Sequence, residues 1–229
     1  MRGALPASST FTTSGASSRS EGHNRPTVPT APILPEDLRT KLARIRGLIL
    51  DVDGVLTDGS MIFDEEGREW KSFDVKDGLG LVLLRDLGYK IGVVSSRFSK
   101  VVLARCRELK LPEGYVLQGE RDKAAAFDRI VALWELQPWE VAAVGDDLPD
   151  LGMLRRAGVS ACPADAVALV RDAAALRLTR PGGNGAVREL CDLILEARRG
   201  SRADRPTPVS PEPSGPADGD VIPFPGSRT

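Results

Sequence analysis

The chain has 229 residues, 41% of them hydrophobic, enough for one full-sized α/β domain with length to spare. Its 31 Lys and Arg against 32 Asp and Glu leave a formal net charge of -1, so nothing global draws it to nucleic acid or to an anionic membrane, and affinity for a charged ligand must come from a local site. Cys106, Cys162 and Cys191 are widely spaced without a CxxC, as in a protein of a reducing compartment, and the sole histidine, His23, lies in a polar N-terminal stretch, which excludes a disulfide scaffold, a histidine-ligated zinc hydrolase, a Ser-His-Asp triad and a phosphohistidine enzyme.

Residues 1–34 are rich in Ser, Thr and Pro and show no sustained periodicity. Residues 201–229 are dense in Pro, Gly and charge. Neither segment buries enough apolar area to offset the entropy of ordering, so both are expected to be disordered tails around a core of residues 35–200. No secretory signal is expected, because the N-terminal stretch lacks a continuous apolar run. No apolar run is long enough to span a membrane as a helix.

Within the core, strand-like and helix-like segments alternate. Residues 45–51 (IRGLILD) form a short apolar run ending in an acid. Residues 61–63 and 69–73 flank Asp64-Glu65-Glu66-Gly67 and read as a β-hairpin with a Gly-containing loop. Residues 79–87 have helical spacing, with Gly88 as the stop. A buried strand is expected at 90–95, a helix capped by Ser99 and running to about 109, a short strand at 115–118 and a helix at 123–133. A strand at 141–144, a helix at 148–157, a strand at 159–161 and a final amphipathic helix at 186–198 complete the reading. Continuous apolar strands alternating with helices predict an α/β fold: a Rossmann-like, mostly parallel sheet with helices on both faces and a small hairpin insertion.

Ligands of such sheets sit beyond the carboxyl ends of the strands. Four groups of chemical residues follow strands here. Asp51-Val52-Asp53-Gly54 places two carboxylates close together, which is costly unless a cation or a shared proton offsets their repulsion. Magnesium takes a few carboxylates together with waters and phosphate oxygens, and a carboxylate can also be a nucleophile. Alone, the pair fits a solvated acidic turn equally well. Ser95-Ser96-Arg97 offers a hydroxyl, amides and a guanidinium suited to phosphate, or simply an N-cap beside a surface arginine. Lys123 opens a helix, where the dipole disfavours a cation; that points to an anionic partner, with a solvated lysine as the plain alternative. Gly145-Asp146-Asp147-Leu148-Pro149-Asp150 is a second acidic cluster. Asp147 and Asp150 also suit the start of the next helix, a reading that fits Asp146 less well.

The order DxDGxxTD, then Ser with Arg, then Lys, then GDDxxD resembles the haloacid dehalogenase superfamily over about residues 45–198. The stretches IRGLILDVDGVLTDG, KSFDVKDGLG, QGERDK, VGDDLPDLGML and GGNGAVRELCDLIL are similar to the 3-deoxy-D-manno-octulosonate 8-phosphate phosphatase family. That resemblance implies a cytoplasmic, magnesium-using sugar-phosphate phosphatase, often a tetramer, serving lipopolysaccharide synthesis. It implies Asp51 as nucleophile and Asp53 as acid and base. Magnesium is then held by the Asp51 carboxylate, the Asp53 carbonyl and Asp146. Ser95 and Lys123 take phosphate oxygens, and Asp147 and Asp150 orient the others. Lys76, in the FDVKDG segment, is the candidate for a substrate carboxylate, with Arg97 as a further substrate or supporting residue. One departure stands out: the family usually has Thr-Gly-Arg where this chain has Ser95-Ser96-Arg97, which puts close backbone approach at Ser96 in question. Rival readings are a phosphatase of the same mechanism acting on a nonulosonate 9-phosphate or another small phosphoester, and a phosphatase-like module retained for binding or assembly.

The intervals from Asp58 to Ser95 and from Lys123 to Asp146 leave no room for a separate cap domain. The site is then open to water unless another chain covers it. A homo-oligomer is expected, with the hairpin at residues 61–73 and the glycine-rich segment at 182–188 completing or covering a site, and the family resemblance implies that it is a homotetramer. The run Pro181-Gly182-Gly183-Asn184-Gly185 is expected to be flexible, with exposed amides suited to anion contact or gating, or else an ordinary turn.

Overall fold

The computed structural model describes residues 34–200, so the expectations for the two tails and for His23 lie outside the described residues. Six parallel strands form the main sheet: β1 (Gly47–Leu50), β4 (Lys90–Ser95), β5 (Val116–Gln118), β6 (Val141–Val144), β7 (Val159–Cys162) and β8 (Leu176–Arg177), in the order β5-β4-β1-β6-β7-β8. A separate antiparallel hairpin pairs β2 (Ile62–Phe63) with β3 (Glu69–Trp70).

Alternation along each strand divides the core into two layers. Leu48 and Leu50 of β1 point to one face, where they meet α1 (Glu36–Ala43), α2 (Val75–Asp86), α3 (Lys100–Glu108) and α7 (Ala186–Gly200). Ile49 points to the other, toward α4 (Lys123–Leu133), α5 (Leu151–Leu154) and α6 (Ala168–Ala173). Every residue of β1 and β6 is buried, which is why these strands read as unbroken apolar runs.

After β5, on one side of β1, the chain returns to β6 on the other. The central β1 is therefore the switch point of the sheet. Leu50 pairs in register with both Val93 and Val144, so the residues that follow these three strands arrive at one edge together.

Several predicted elements are corrected. The first helix after the hairpin starts at Val75, earlier than position 79, because the Asp74 carboxylate accepts the amides of Lys76 (2.5 Å) and Asp77 (3.4 Å). Gly78 and Gly80 weaken helical propensity there and mask the start. Both make room for neighbours: a Cβ on Gly78 would meet Arg105, and one on Gly80 would meet Arg188 and Cys191. The predicted helix at 148–157 is a 3-10 turn (Leu148–Asp150) followed by the single turn of α5, since the chain must return at once to β7. Helices α1 and α6 and the two-residue β8 add to the predicted elements; each is too short to show a period in the sequence. The three cysteines are free and buried.

Candidate active site

The site forms where β1, β4 and β6 end. Asp51 follows β1, and its amide continues the sheet by donating to the Val144 carbonyl at 3.0 Å. The chain then turns sharply, with the amides of Val55, Leu56 and Thr57 all directed to the Val52 carbonyl. Thr57 is buried and ties the turn internally: its Oγ1 accepts the amides of Gly54 (3.4 Å) and Gly59 (3.2 Å) and donates to the Val52 carbonyl (3.4 Å). Gly54 has φ +88, and a Cβ there would run into the Asp146 carboxylate. A glycine is needed both for that conformation and for the close approach of the two acidic segments.

Lys123, the first residue of α4, folds back from the helix end instead of projecting into water. Its Nζ lies 2.7 Å from Asp51 Oδ1 and 2.6 Å from Asp150 Oδ1. Burial opposes the Lys123 charge, but Asp51 and Asp150 outweigh it and hold the pKa above the ordinary lysine value. The expected cation–dipole mismatch is thus resolved by anions of the chain itself. The other oxygen of Asp150 accepts the amides of Asp146 (2.9 Å) and Asp147 (3.1 Å). Asp147 is exposed and accepts the Leu148 amide at 2.7 Å, starting the 3-10 turn.

The carboxylates of Asp51, Asp146 and Asp150 each place an oxygen within 4.8 Å of the others. Asp150 has both oxygens engaged, whereas Asp146 Oδ1 is buried with no hydrogen-bond partner. Burial, and then the charge of Asp150, push Asp51 up to about 7, against the pull of Lys123. Burial, and then Asp51 and Asp150, push Asp146 up to about 7. An orphaned, desolvated carboxylate oxygen beside a second buried carboxylate is a donor set that fits a hard divalent cation.

Ser95 is buried at the end of β4, and its Oγ accepts the Arg97 amide at 3.2 Å. Ser96, where the expected pattern has glycine, is exposed and donates its hydroxyl to the Glu120 carbonyl at 3.1 Å. Among the described residues only Lys110 and Glu135 have positive φ without being glycine, so Ser96 sits in an ordinary conformation that needs no glycine.

A second charged group lies outside the sequence expectations. Lys71, just beyond β3, forms an ion pair with Asp53 Oδ1 and lies 3.2 Å from Glu69 Oε1. Arg97 reaches the same Glu69 oxygen at 3.0 Å and lies 4.0 Å from Asp53 Oδ2. The usable signal is the alternation around Trp70, which puts Glu69 and Lys71 on one face of the strand. Lys76 instead lies exposed in the first turn of α2. The glycine-rich run also differs from expectation. Its amides are engaged rather than exposed: Gly182 donates to Asp165 (2.9 Å), Gly183 to the Val55 carbonyl (2.9 Å) and Gly185 to Asp77 (3.2 Å). Asp77 also accepts the Arg188 amide at 2.7 Å, and Glu189 holds the amides of Thr179 and Arg180. The segment therefore buttresses the turn after Asp51 from within the same chain.

A parallel α/β sheet without a cap, carrying DxDG, Ser, Lys and GDDxxD at successive strand ends, defines a haloacid dehalogenase-like hydrolase, and residues 110–189 match that family. The chain is 38% identical over 163 residues to 3-deoxy-D-manno-octulosonate 8-phosphate phosphatase KdsC of Yersinia pestis, an alignment covering 71% of this chain and 86% of the relative. The Escherichia coli K12 KdsC is 39% identical over 162 residues, covering 71% and 85%. The crystal structure of the Moraxella catarrhalis 3-deoxy-D-manno-octulosonate 8-phosphate phosphatase, in complex with magnesium ion, phosphate ion and KDO, superposes with a TM-score of 0.69 at 36% identity, over 72% of this chain and 93% of that one. The cobalt-bound Haemophilus influenzae enzyme gives 0.67 at 36% identity, over 69% and 92%. The chain belongs to the 3-deoxy-D-manno-octulosonate 8-phosphate phosphatase family of haloacid dehalogenase-like hydrolases.

Proposed function

We propose that this protein is a magnesium-dependent phosphatase that hydrolyses 3-deoxy-D-manno-octulosonate 8-phosphate through an aspartyl phosphate on Asp51. The observation that carries the reading is the pairing of Asp51 with the buried Lys123, beside an Asp146 oxygen that has no partner in the protein. The Asp51 and Asp146 carboxylates, with the Asp53 carbonyl, would hold the magnesium ion. Bound there, magnesium neutralises charge on the phosphoryl oxygens and on the acidic cluster.

The residues then divide the work. An Asp51 carboxylate oxygen attacks phosphorus as the bond from phosphorus to the sugar oxygen breaks, and Asp53 gives its proton to that leaving oxygen. Asp53, now a carboxylate, takes a proton from water; the water oxygen attacks phosphorus and the bond to Asp51 breaks, restoring both side chains. Lys123 and Ser95 hold phosphoryl oxygens as charge redistributes. Asp150 keeps Lys123 aimed and holds the 146–147 turn through its amides, with Asp147 shaping that turn. Arg97, partly exposed beside Asp53, is a cation available to a substrate carboxylate. Lys76, exposed in the first turn of α2, is a second candidate.

The assembly is read as a homotetramer. Met61, Ile62, Phe63 and Trp70 of the hairpin are exposed, as are Val75, Leu79, Leu83 and Leu87, spaced at i, i+4 along α2. Such apolar surface suits a second copy that shields the capless site. A cytoplasmic location is supported by three free thiols; among the described residues no helix is long and apolar enough to cross a membrane. Phosphate release should be measured from the octulosonate 8-phosphate, a nonulosonate 9-phosphate and neutral hexose phosphates, with and without magnesium. A higher kcat/KM for the neutral sugars, or full activity in excess chelator, rejects the reading.

A further inference from the structure

The ion pair between Lys71 and Asp53 goes beyond the catalytic set. Lys71 comes from the hairpin, and its side chain is 1% exposed. Burying an ammonium costs several kcal/mol unless it is well paired. A hairpin of two two-residue strands whose other side chains are largely exposed gains little from such a residue, and an apolar side chain would fill the position at lower cost. The partners of Lys71 are specific. It meets Asp53 Oδ1 and Glu69 Oε1, and that same Glu69 oxygen holds Arg97 at 3.0 Å. Glu69 therefore sets both cations around a single carboxylate, Asp53.

We propose that Lys71 is a positioning residue that fixes the Asp53 carboxyl group for proton transfer to the leaving group. An ammonium only donates hydrogen bonds. Lys71 thus commits Oδ1 of Asp53 as an acceptor and leaves Oδ2 as the oxygen that handles the leaving-group proton. It also ties the hairpin to the reacting centre, so anything that moves the hairpin moves Asp53. The proposal rests on Asp53 being the acid, as read above.

The test compares two substrates of the full-length protein with magnesium. One is the octulosonate 8-phosphate, whose alkoxide leaving group needs a proton. The other is p-nitrophenyl phosphate, whose phenolate does not. The constant kcat/KM reports only the steps up to formation of the aspartyl phosphate, so the later water step drops out. The ratio of the two constants, taken in one sample, is unaffected by any fraction that fails to fold. In Lys71→Met the ratio of sugar to aryl substrate should fall about tenfold or more, part of the roughly 10²–10⁴-fold that general acid catalysis supplies, and Asp53→Asn should shift it in the same direction. If Asp53→Asn shifts the ratio so and Lys71→Met shifts it by less than about tenfold, the positioning role is overturned while the acid stands. If Asp53→Asn leaves the ratio unchanged, the acid assignment fails, and the role of Lys71 with it.

Discussion

Lys123 Nζ lies 2.6 Å from Asp150 Oδ1, with the two side chains only 3% and 1% exposed. The second oxygen of Asp150 accepts the amides of Asp146 and Asp147. Asp150 is thereby a tether between α4 and the loop after β6. Asp150→Ala should leave Lys123 half-paired and two amides without an acceptor. A loss of about 3–5 kcal/mol is expected, as for breaking a buried pair, with a smaller loss for Asp150→Asn. Chemical denaturation of both variants checks the order; equal stability to the parent would remove the tether role.

Asp51→Asn should abolish turnover, because an amide is nearly isosteric yet a poor nucleophile. Its fold should persist, because the Asn side-chain oxygen can still accept from Lys123 and Asp150 keeps that lysine paired. Activity above a few per cent of the parent in a clean preparation contradicts the nucleophile assignment.

Magnesium affinity should rise with pH and level off above neutrality. Burial and neighbouring carboxylates raise Asp51 and Asp146 to about 7 in the folded protein, against 3.8 for the ordinary group. Between these values the folded, metal-free protein binds more protons than the unfolded chain. Its stability from these groups is therefore greatest below pH 3.8 and declines as pH rises toward 7. Lys123 stays charged throughout that window and does not reverse the sign. Magnesium needs both groups as carboxylates, so binding releases protons and offsets the decline. Calorimetric titration at several pH values reads both effects; affinity independent of pH from 5 to 8 would contradict them.

Two glycine substitutions should separate site from scaffold. A Cβ on Gly182 would meet the Gly54 and Thr57 carbonyls, so Gly182→Ala must shift the turn that carries Asp53. Its kcat should fall about tenfold or more, as for small misplacements at an active site. Gly67 has φ +75 in the hairpin loop, and a Cβ there would meet nothing within 4 Å. Gly67→Ala should cost about 1–2 kcal/mol from the left-handed backbone alone, with kcat unchanged. Steady-state kinetics beside thermal melts distinguishes the two.

Phe63→Glu and Leu79→Glu place charges on the exposed apolar hairpin and on the exposed stripe of α2. Each should lower the sedimentation coefficient of the proposed tetramer and reduce activity together with it. A parent protein that is monomeric and fully active at nanomolar concentration would overturn the shared cover.

The sequence alone determined the layered α/β architecture and the placing of Asp51, Asp53, Ser95, Lys123 and Asp146 in segments that follow strands, while their roles came from the family resemblance. Buried parallel strands leave continuous apolar runs, and ligands gather at strand ends, so both are written locally. Strands 90–95 and 141–144 and helix 123–133 coincide with β4, β6 and α4 for that reason. Only the tertiary structure decided what those residues touch. Lys71 and Asp53 are 18 positions apart, and Asp77 and Arg188 are 111 apart. Neither pair leaves a periodic trace, because a hydrogen bond between distant segments depends on how whole elements pack. The glycine-rich run looks free in sequence, since glycine suits both a loose turn and a tightly packed one. Packing against Gly54 and Thr57 makes it the second kind, and the register of β1 with β4 and β6 brings the separate motifs to one edge.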